Sequence, residues 1–253
     1  MSVCLLSVFC LSAVRPSVCP SSPTLSVNKM DIIDSHVHLF SADQLDSLNW
    51  YTTASTGHPL GSEHCLPEYA AALAAATPEG RIGGFVWVEA DAKHDLTMSP
   101  PDYSGPLGEL AHLRRVLESQ TETKTKTKTK TQTQTQTLEC VAAVPWAPLP
   151  LGAAALETYL AEAEQIAGPA LWRRVRGFRY LVQDKPAGTM VGAGFVEGLR
   201  LLGRKGFAFD LGADAHRRGA GHLAEAVEMV RQAHEGVPEG ERVTVVISKR
   251  LSE

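Results

Sequence analysis

Two histidines separated by one residue close an apolar run, Asp31-Ile-Ile-Asp-Ser-His-Val-His-Leu-Phe40. Paired imidazoles at such a place can hold a divalent metal such as zinc, or polarise a substrate oxygen; the plainer alternative is two hydrogen-bonded structural histidines. Three charged residues are candidates for the same site. Glu89 stands near the end of the run Arg81–Ala90, Arg179 inside Val175–Val182, and Asp210 inside Phe207–Leu211. An arginine inside a core is costly unless paired. Arg179 therefore calls for a carboxylate such as Glu89 or Asp210, or for an anionic substrate, with a purely structural ion pair as the alternative.

Strands must bring these residues together. Successive side chains in a strand alternate between two faces. Asp34, His36 and His38 are expected on one face of a buried first strand. Trp87, Glu89 and Asp91 share a face of the second. Gly177, Arg179 and Leu181 share a face of the fourth, with Phe178 and Tyr180 opposite. Asp210 opposes Phe207, Phe209 and Leu211, so it faces the interior if those apolar residues face helices. Glu139–Pro145 and Arg242–Ile247 read as the third and sixth strands. Helical spacing fills the intervals, over Pro67–Ala76, Leu107–Gln120, Ala153–Ala167, Phe195–Gly203 and Gly221–His234. His112 is expected on the surface of its helix. This alternation implies an α/β protein with a parallel sheet. No Gly-x-Gly-x-x-Gly turn follows the first strand, which argues against a doubly wound nucleotide fold. The expected architecture is a TIM-type (β/α)8 barrel, incomplete at about six strands, with its site at the C-terminal mouth.

The chain has 253 residues, 44% of them hydrophobic, enough for one domain. Its net charge of -4 comes without a basic face, so nucleic acid is not an expected partner. No apolar run approaches the ~20 residues that span a bilayer. Five cysteines at irregular spacing fit neither a disulfide framework nor a structural zinc site. Residues 1–29 are Ser-, Cys- and Pro-rich, and read as a disordered leader outside a domain that runs from 30 to 253. A secretory signal over residues 1–20 is an alternative to a cytoplasmic location. Thr121–Thr137 alternates Thr with Glu, Lys and Gln, offers no apolar face, and reads as a solvated, mobile low-complexity insertion.

The polar stretch Ser41–Cys65 follows the first strand and is expected to shape a pocket; Trp50 within it either binds substrate or packs on the core. His216, in the loop expected after the fifth strand, is a pocket residue or a surface histidine.

Asp34-Ser-His-Val-His-Leu-Phe40, Phe85-Val-Trp-Val-Glu-Ala-Asp91, Val175-Arg-Gly-Phe-Arg-Tyr-Leu181 and Phe209-Asp-Leu-Gly-x-Asp-x-His-Arg-Arg-Gly219 resemble segments of the amidohydrolase-related family. This is a family of metal-type hydrolases and decarboxylases, and the likeness is to its fungal sugar-lactonase branch. Trp50, Gly57-His-Pro-Leu60 and Glu68-Tyr69 fit the same branch. The resemblance implies a barrel of the metal-dependent hydrolase superfamily acting on a small cyclic ester. His36 and His38 would hold zinc or act without metal, Arg179 would serve the substrate, and Glu89 and Asp210 would orient these groups. The family usually places Asn-His where this chain has Ser248-Lys249, and its later Asp-bearing segment has no counterpart here. A site short of its base is therefore implied. The alternatives are a truncated, catalytically impaired remnant and a metal-dependent decarboxylase of the same family.

Overall fold

The computed structural model describes residues 32–52, 57, 60–76, 82–127, 138–213 and 215–249. Strands and helices alternate in chain order as β1 (Ile32–Val37), α1 (Leu66–Ala76), β2 (Ile82–Val88), α2 (Ser104–Thr127), β3 (Glu139–Val144), α3 (Gly152–Trp172), β4 (Gly177–Arg179), α4 (Ala193–Arg204), β5 (Ala208–Ala213), α5 (Ala215–His234) and β6 (Val245–Lys249). Every strand pair is parallel and sequential, β1–β2–β3 in one sheet and β4–β5–β6 in another. Backbone bonds join the two sheets edge to edge. Ala143 N–H donates to Arg174 O at 2.9 Å, Arg176 N–H to Ala143 O at 3.1 Å, Arg179 N–H to Pro145 O at 2.9 Å, and Ala147 N–H to Arg179 O at 2.9 Å. The strands thus follow one another in a single open arc among the described residues.

Helices bury the apolar sides of these strands. Phe85 and Trp87 of β2, Phe178 of β4 and Phe209 of β5 are buried with Leu110 and Leu113 of α2, Leu156 and Tyr159 of α3, and Phe195 and Leu199 of α4. Full burial of such a side chain stabilises by about 1.5–3 kcal/mol. Phe178 meets Phe207 edge-on at 5.0 Å and Trp172 at 6.2 Å. That contact turns the neighbouring Arg179 to the other side of β4. A second cluster of Phe40, Leu45, Leu48, Ala90 and Ala92, with Trp50 and Tyr51 against it, packs the loop after β1 onto the end of β2.

Several expectations are corrected. The first strand is not buried: β1 is an edge, with Ile33 44% exposed. β4 is only three residues long, because Val175 pairs across to Ala143 as an isolated bridge. α2 continues past Gln120 to Thr127, so the Thr repeat begins inside a helix; residues 128–137 and the leader lie outside the described residues. α5 starts at Ala215, which places His216 on a helix and not in a loop. His112 is 8% exposed and buried, its Nδ1 facing Ser41 Oγ at 3.5 Å. Among the described residues, no helix is long and apolar enough to cross a membrane.

Candidate active site

β1 ends at Val37, so His38 stands one residue past it. Its pairing with β2 is irregular between Asp34 and Val37. Asp34 Oδ1 accepts the His36 N–H at 3.1 Å, and Asp34 Oδ2 accepts the Tyr69 O–H of α1 at 2.9 Å. Asp34 therefore ties β1 to α1 and does not join the histidines, contrary to simple alternation.

His36 Nε2 and His38 Nε2 face each other at 3.2 Å. His38 Nδ1 lies 3.1 Å from Val88 O. A carbonyl only accepts, so this contact places a proton on Nδ1 and leaves a lone pair on Nε2 of the neutral ring. Arg179 Nη1, which only donates, lies 3.3 Å from His36 Nε2 and fixes a lone pair there too. Desolvation, then the neighbouring His36 and Arg179, hold the His38 imidazole at about 3, far below its usual value. By surface area His38 is exposed, and solvent on its open side offsets part of that desolvation. The two neighbours are what the geometry fixes, and both oppose a second proton.

Arg179 is the last residue of β4 and stands in register with Asp210 of β5. It is 8% exposed. Its Nε lies 3.7 Å from Glu89 Oε1 and 3.8 Å from Asp210 Oδ2. These are ion-pair distances and too long for hydrogen bonds. Arg179 Nε and Glu89 Oε1 are both buried without a hydrogen-bond partner among the described residues. Gly212, two residues beyond Asp210, makes room for the guanidinium: a Cβ there would stand 3.1 Å from Arg179 Nη2.

Glu89 sits just past β2 and is 1% exposed. Its Oε2 accepts the Asp91 N–H at 2.7 Å. Burial pushes its carboxyl up to about 7, against the opposing pull of Arg179. Asp91 adopts φ 65°, and Asn49 holds it through a 3.0 Å bond to Oδ1 and a 2.9 Å bond to its carbonyl. A second buried carboxyl, Glu109 of α2, accepts the Ala90 N–H at 2.8 Å; burial and then Glu89 raise its pKa well above the usual range.

His36, His38, Glu89 and Arg179 thus converge at the C-terminal ends of β1, β2 and β4, with Asp210, in mid-strand on β5, beside Arg179. The Trp50 indole N–H donates at 2.8 Å to the carbonyl of Ala90, the residue after Glu89, and its ring packs on Phe40 at 5.4 Å. The His216 side chain lies outside what the structure describes. Sequence reasoning missed Glu109, because a carboxylate on a helix ordinarily reads as solvated. It also missed His94, whose Nδ1 donates to Ala92 O at 2.9 Å and whose ring lies 4.5 Å from Trp146.

Two imidazole nitrogens with fixed lone pairs suit a divalent cation. Among the described residues, however, no group of three or more His, Cys, Asp or Glu is placed to hold one. A catalytic zinc site usually has three protein ligands.

No family model matches the chain. L-Rhamnono-gamma-lactonase of Scheffersomyces stipitis is 31% identical over 206 residues, which cover 81% of this chain and 58% of that protein. The chain thus spans somewhat under two thirds of the length of that curated relative. Among solved structures, an amidohydrolase of Burkholderia multivorans with bound zinc gives a TM-score of 0.46 at 19% identity, over 86% of this chain and 69% of that one. Amidohydrolase 2 from Bifidobacterium longum subsp. infantis gives 0.45 at 19% identity, over 87% and 61%.

Proposed function

We propose that this chain, which is similar to L-rhamnono-gamma-lactonase over 206 residues, hydrolyses a small cyclic ester, a sugar lactone, at the cluster of His36, His38, Arg179, Glu89 and Asp210. In this reading residues 30–253 form one domain. Its parallel strands are part of a (β/α)8 barrel, with the cluster at the mouth where such barrels place their chemistry.

One observation carries the reading: two imidazole Nε2 atoms meet at 3.2 Å beside a buried guanidinium. Two acceptor nitrogens this close call for a donor or a cation: Arg179 Nη1 serves His36 in this arrangement, and a divalent ion would take both lone pairs. His36 and His38 would hold a divalent ion such as zinc through Nε2, the ion taking the His36 lone pair that otherwise accepts from Arg179 Nη1, with the Val88 carbonyl keeping His38 in the required tautomer. Such an ion, when bound, supplies Lewis-acid polarisation of the ester carbonyl. Arg179 donates to the oxygen that gains negative charge as water adds to that carbonyl. Glu89 and Asp210 flank its Nε, hold the guanidinium in place and balance its charge. The opened product is a hydroxy acid, whose new carboxylate also suits Arg179. Without an ion, His38 in this tautomer has no N–H to offer a carbonyl, and polarisation falls to Arg179.

Acid release from an aldono-γ-lactone, measured against buffer alone, tests the proposal. The expected result is a rate above buffer that chelation lowers and zinc restores. His38→Ala should abolish it, and Arg179→Met should cost about a hundredfold, as loss of an oxyanion donor does. A folded, zinc-treated protein no faster than buffer would sink the lactonase reading. Hydrolysis indifferent to His38→Ala would move the site elsewhere.

A further inference from the structure

We infer that Glu109, on helix α2, is a positioning residue of the mouth: its carboxyl fixes the Ala90 peptide, and so the direction in which Glu89 meets Arg179. Glu109 sits among the inward leucines of α2, beside Leu110 and one turn from Leu113, and is 2% exposed. Burying a carboxyl is costly unless it makes a bond that matters. Its Oε1 accepts the Ala90 N–H at 2.8 Å, the backbone of Ala92 also favours its charged form, and Oε2 has no hydrogen-bond partner among the described residues. Ala90 is the link between Glu89 and Asp91.

Asp91 explains why this peptide needs fixing. Its φ of 65° is a left-handed conformation that a non-glycine residue holds only when its surroundings impose it. Four contacts impose it. Glu109 takes the Ala90 N–H from α2, and Glu89 Oε2 takes the Asp91 N–H at 2.7 Å. Asn49 donates to both the Asp91 carbonyl and its side chain. Only the first comes from a helix of the body and not from the mouth itself. It aims the Glu89 backbone so that Oε2 serves Asp91 while Oε1 stands 3.7 Å from Arg179 Nε. Glu109 thus acts through Glu89 without facing substrate. Its effect on catalysis rests on the lactonase reading; its effect on Glu89 and Arg179 does not.

Two variants separate acceptor from bulk. Glu109→Gln keeps a carbonyl oxygen for the Ala90 N–H, and Glu109→Met keeps length without an acceptor. Ala90 amide exchange and the Arg179 Nε–H resonance are read in each folded protein by NMR. Ala90 should exchange slowly in the wild type and in Glu109→Gln, and at least about tenfold faster in Glu109→Met, where the Arg179 resonance also shifts. On an aldonolactone, kcat should fall on the order of a hundredfold in Glu109→Met with KM little changed, and Glu109→Gln should recover most of it. Equal Ala90 protection in all three, or an unmoved Arg179 resonance in Glu109→Met, overturns the inference. Should Glu109→Met fail to fold, the other two proteins decide. Fast Ala90 exchange in either overturns the inference; slow exchange in both upholds it. The expected exchange pattern without lactone hydrolysis by the wild type would retire the lactonase reading and leave the positioning role standing.

Discussion

Arg179 lies against a residue with no side chain, and that pairing makes a sharp mutational test. A methyl group at Gly212 would press on Nη2 at 3.1 Å, so Gly212→Ala should shift the guanidinium from its present place. Lactone hydrolysis should fall about tenfold or more, with thermal stability nearly unchanged; full activity in this variant would show that the placement of Arg179 is not critical. The buried carboxyls make a second test. The pKa of Glu89 is raised to about 7 in the fold, so the folded state binds its proton more tightly than the unfolded chain does. Its contribution to stability is complete below the unfolded value near 4.5 and is lost as pH rises toward 7, at up to about 1.4 kcal/mol per pH unit. His38, with its pKa depressed, acts in the opposite sense over part of this range. The difference between wild type and Glu89→Gln isolates the carboxyl: denaturant titrations at pH 5 and 7.5 should show the wild type losing more stability than the variant. The residues that meet here were largely legible, because Arg179 and Asp210 each oppose aromatic neighbours along a strand. Asp34 was misplaced because a local side-chain bond to the His36 N–H disturbs the alternation. The tautomer of His38 could not be read at all, since it is set by a carbonyl fifty positions away in the chain.

At the scale of elements, apolar periodicity gave each strand and helix in its correct order, while their ends depended on neighbours. α3 is the clearest case. The sequence Gly168-Pro169 stops a helix, and the structure does break there, but Pro169 opens a further turn that runs to Trp172. Proline suits the first turn of a helix because its missing N–H would have no partner there. Gly168 provides the break, with φ 65° and ψ 166°. Gly168→Ala would force a side chain into that conformation and bring a Cβ to 3.4 Å from the Arg114 guanidinium carbon. It should destabilise by about 1–3 kcal/mol in urea titration; a neutral result would mean that the break relocates. β4 was expected to run from Val175 to Val182, yet it spans Gly177–Arg179; Val175 meets Ala143 of β3 only as an isolated bridge, and Arg179 meets Trp146 of the β3 exit loop. α2 runs past its apolar stretch to Thr127, and within it the Thr121 hydroxyl donates to Leu117 O at 3.0 Å.

Across the whole molecule, the sequential order of strands was legible from their alternation with helices, and a barrel incomplete at about six strands already implied exposed ends to the arc. Ile33 at one end and Ile247 at the other are 44% and 63% exposed, although each is a residue type that favours burial. The arc also has a seam in its middle, where β3 and β4 meet through the isolated bridges Ala143–Val175 and Trp146–Arg179. Arg179 belongs to that seam twice. Its backbone is one of the stitches, and its side chain reaches His36 in the first half and Asp210 in the second. A ligand gripped by Arg179 and the histidines therefore touches both halves at once and acts as a clasp across the join. Thermodynamic reciprocity then requires that whatever spreads the halves also loosens the ligand, by the same factor. Saturating the protein with an aldonic acid should slow amide exchange at Arg176 and Arg179 together, while amides inside β2 and β5 stay as they were; protection confined to the histidine loop would show that the two halves respond independently. Grip and stiffness are in this sense one property of the molecule, and a variant selected for tighter binding should also resist being pulled apart at its middle.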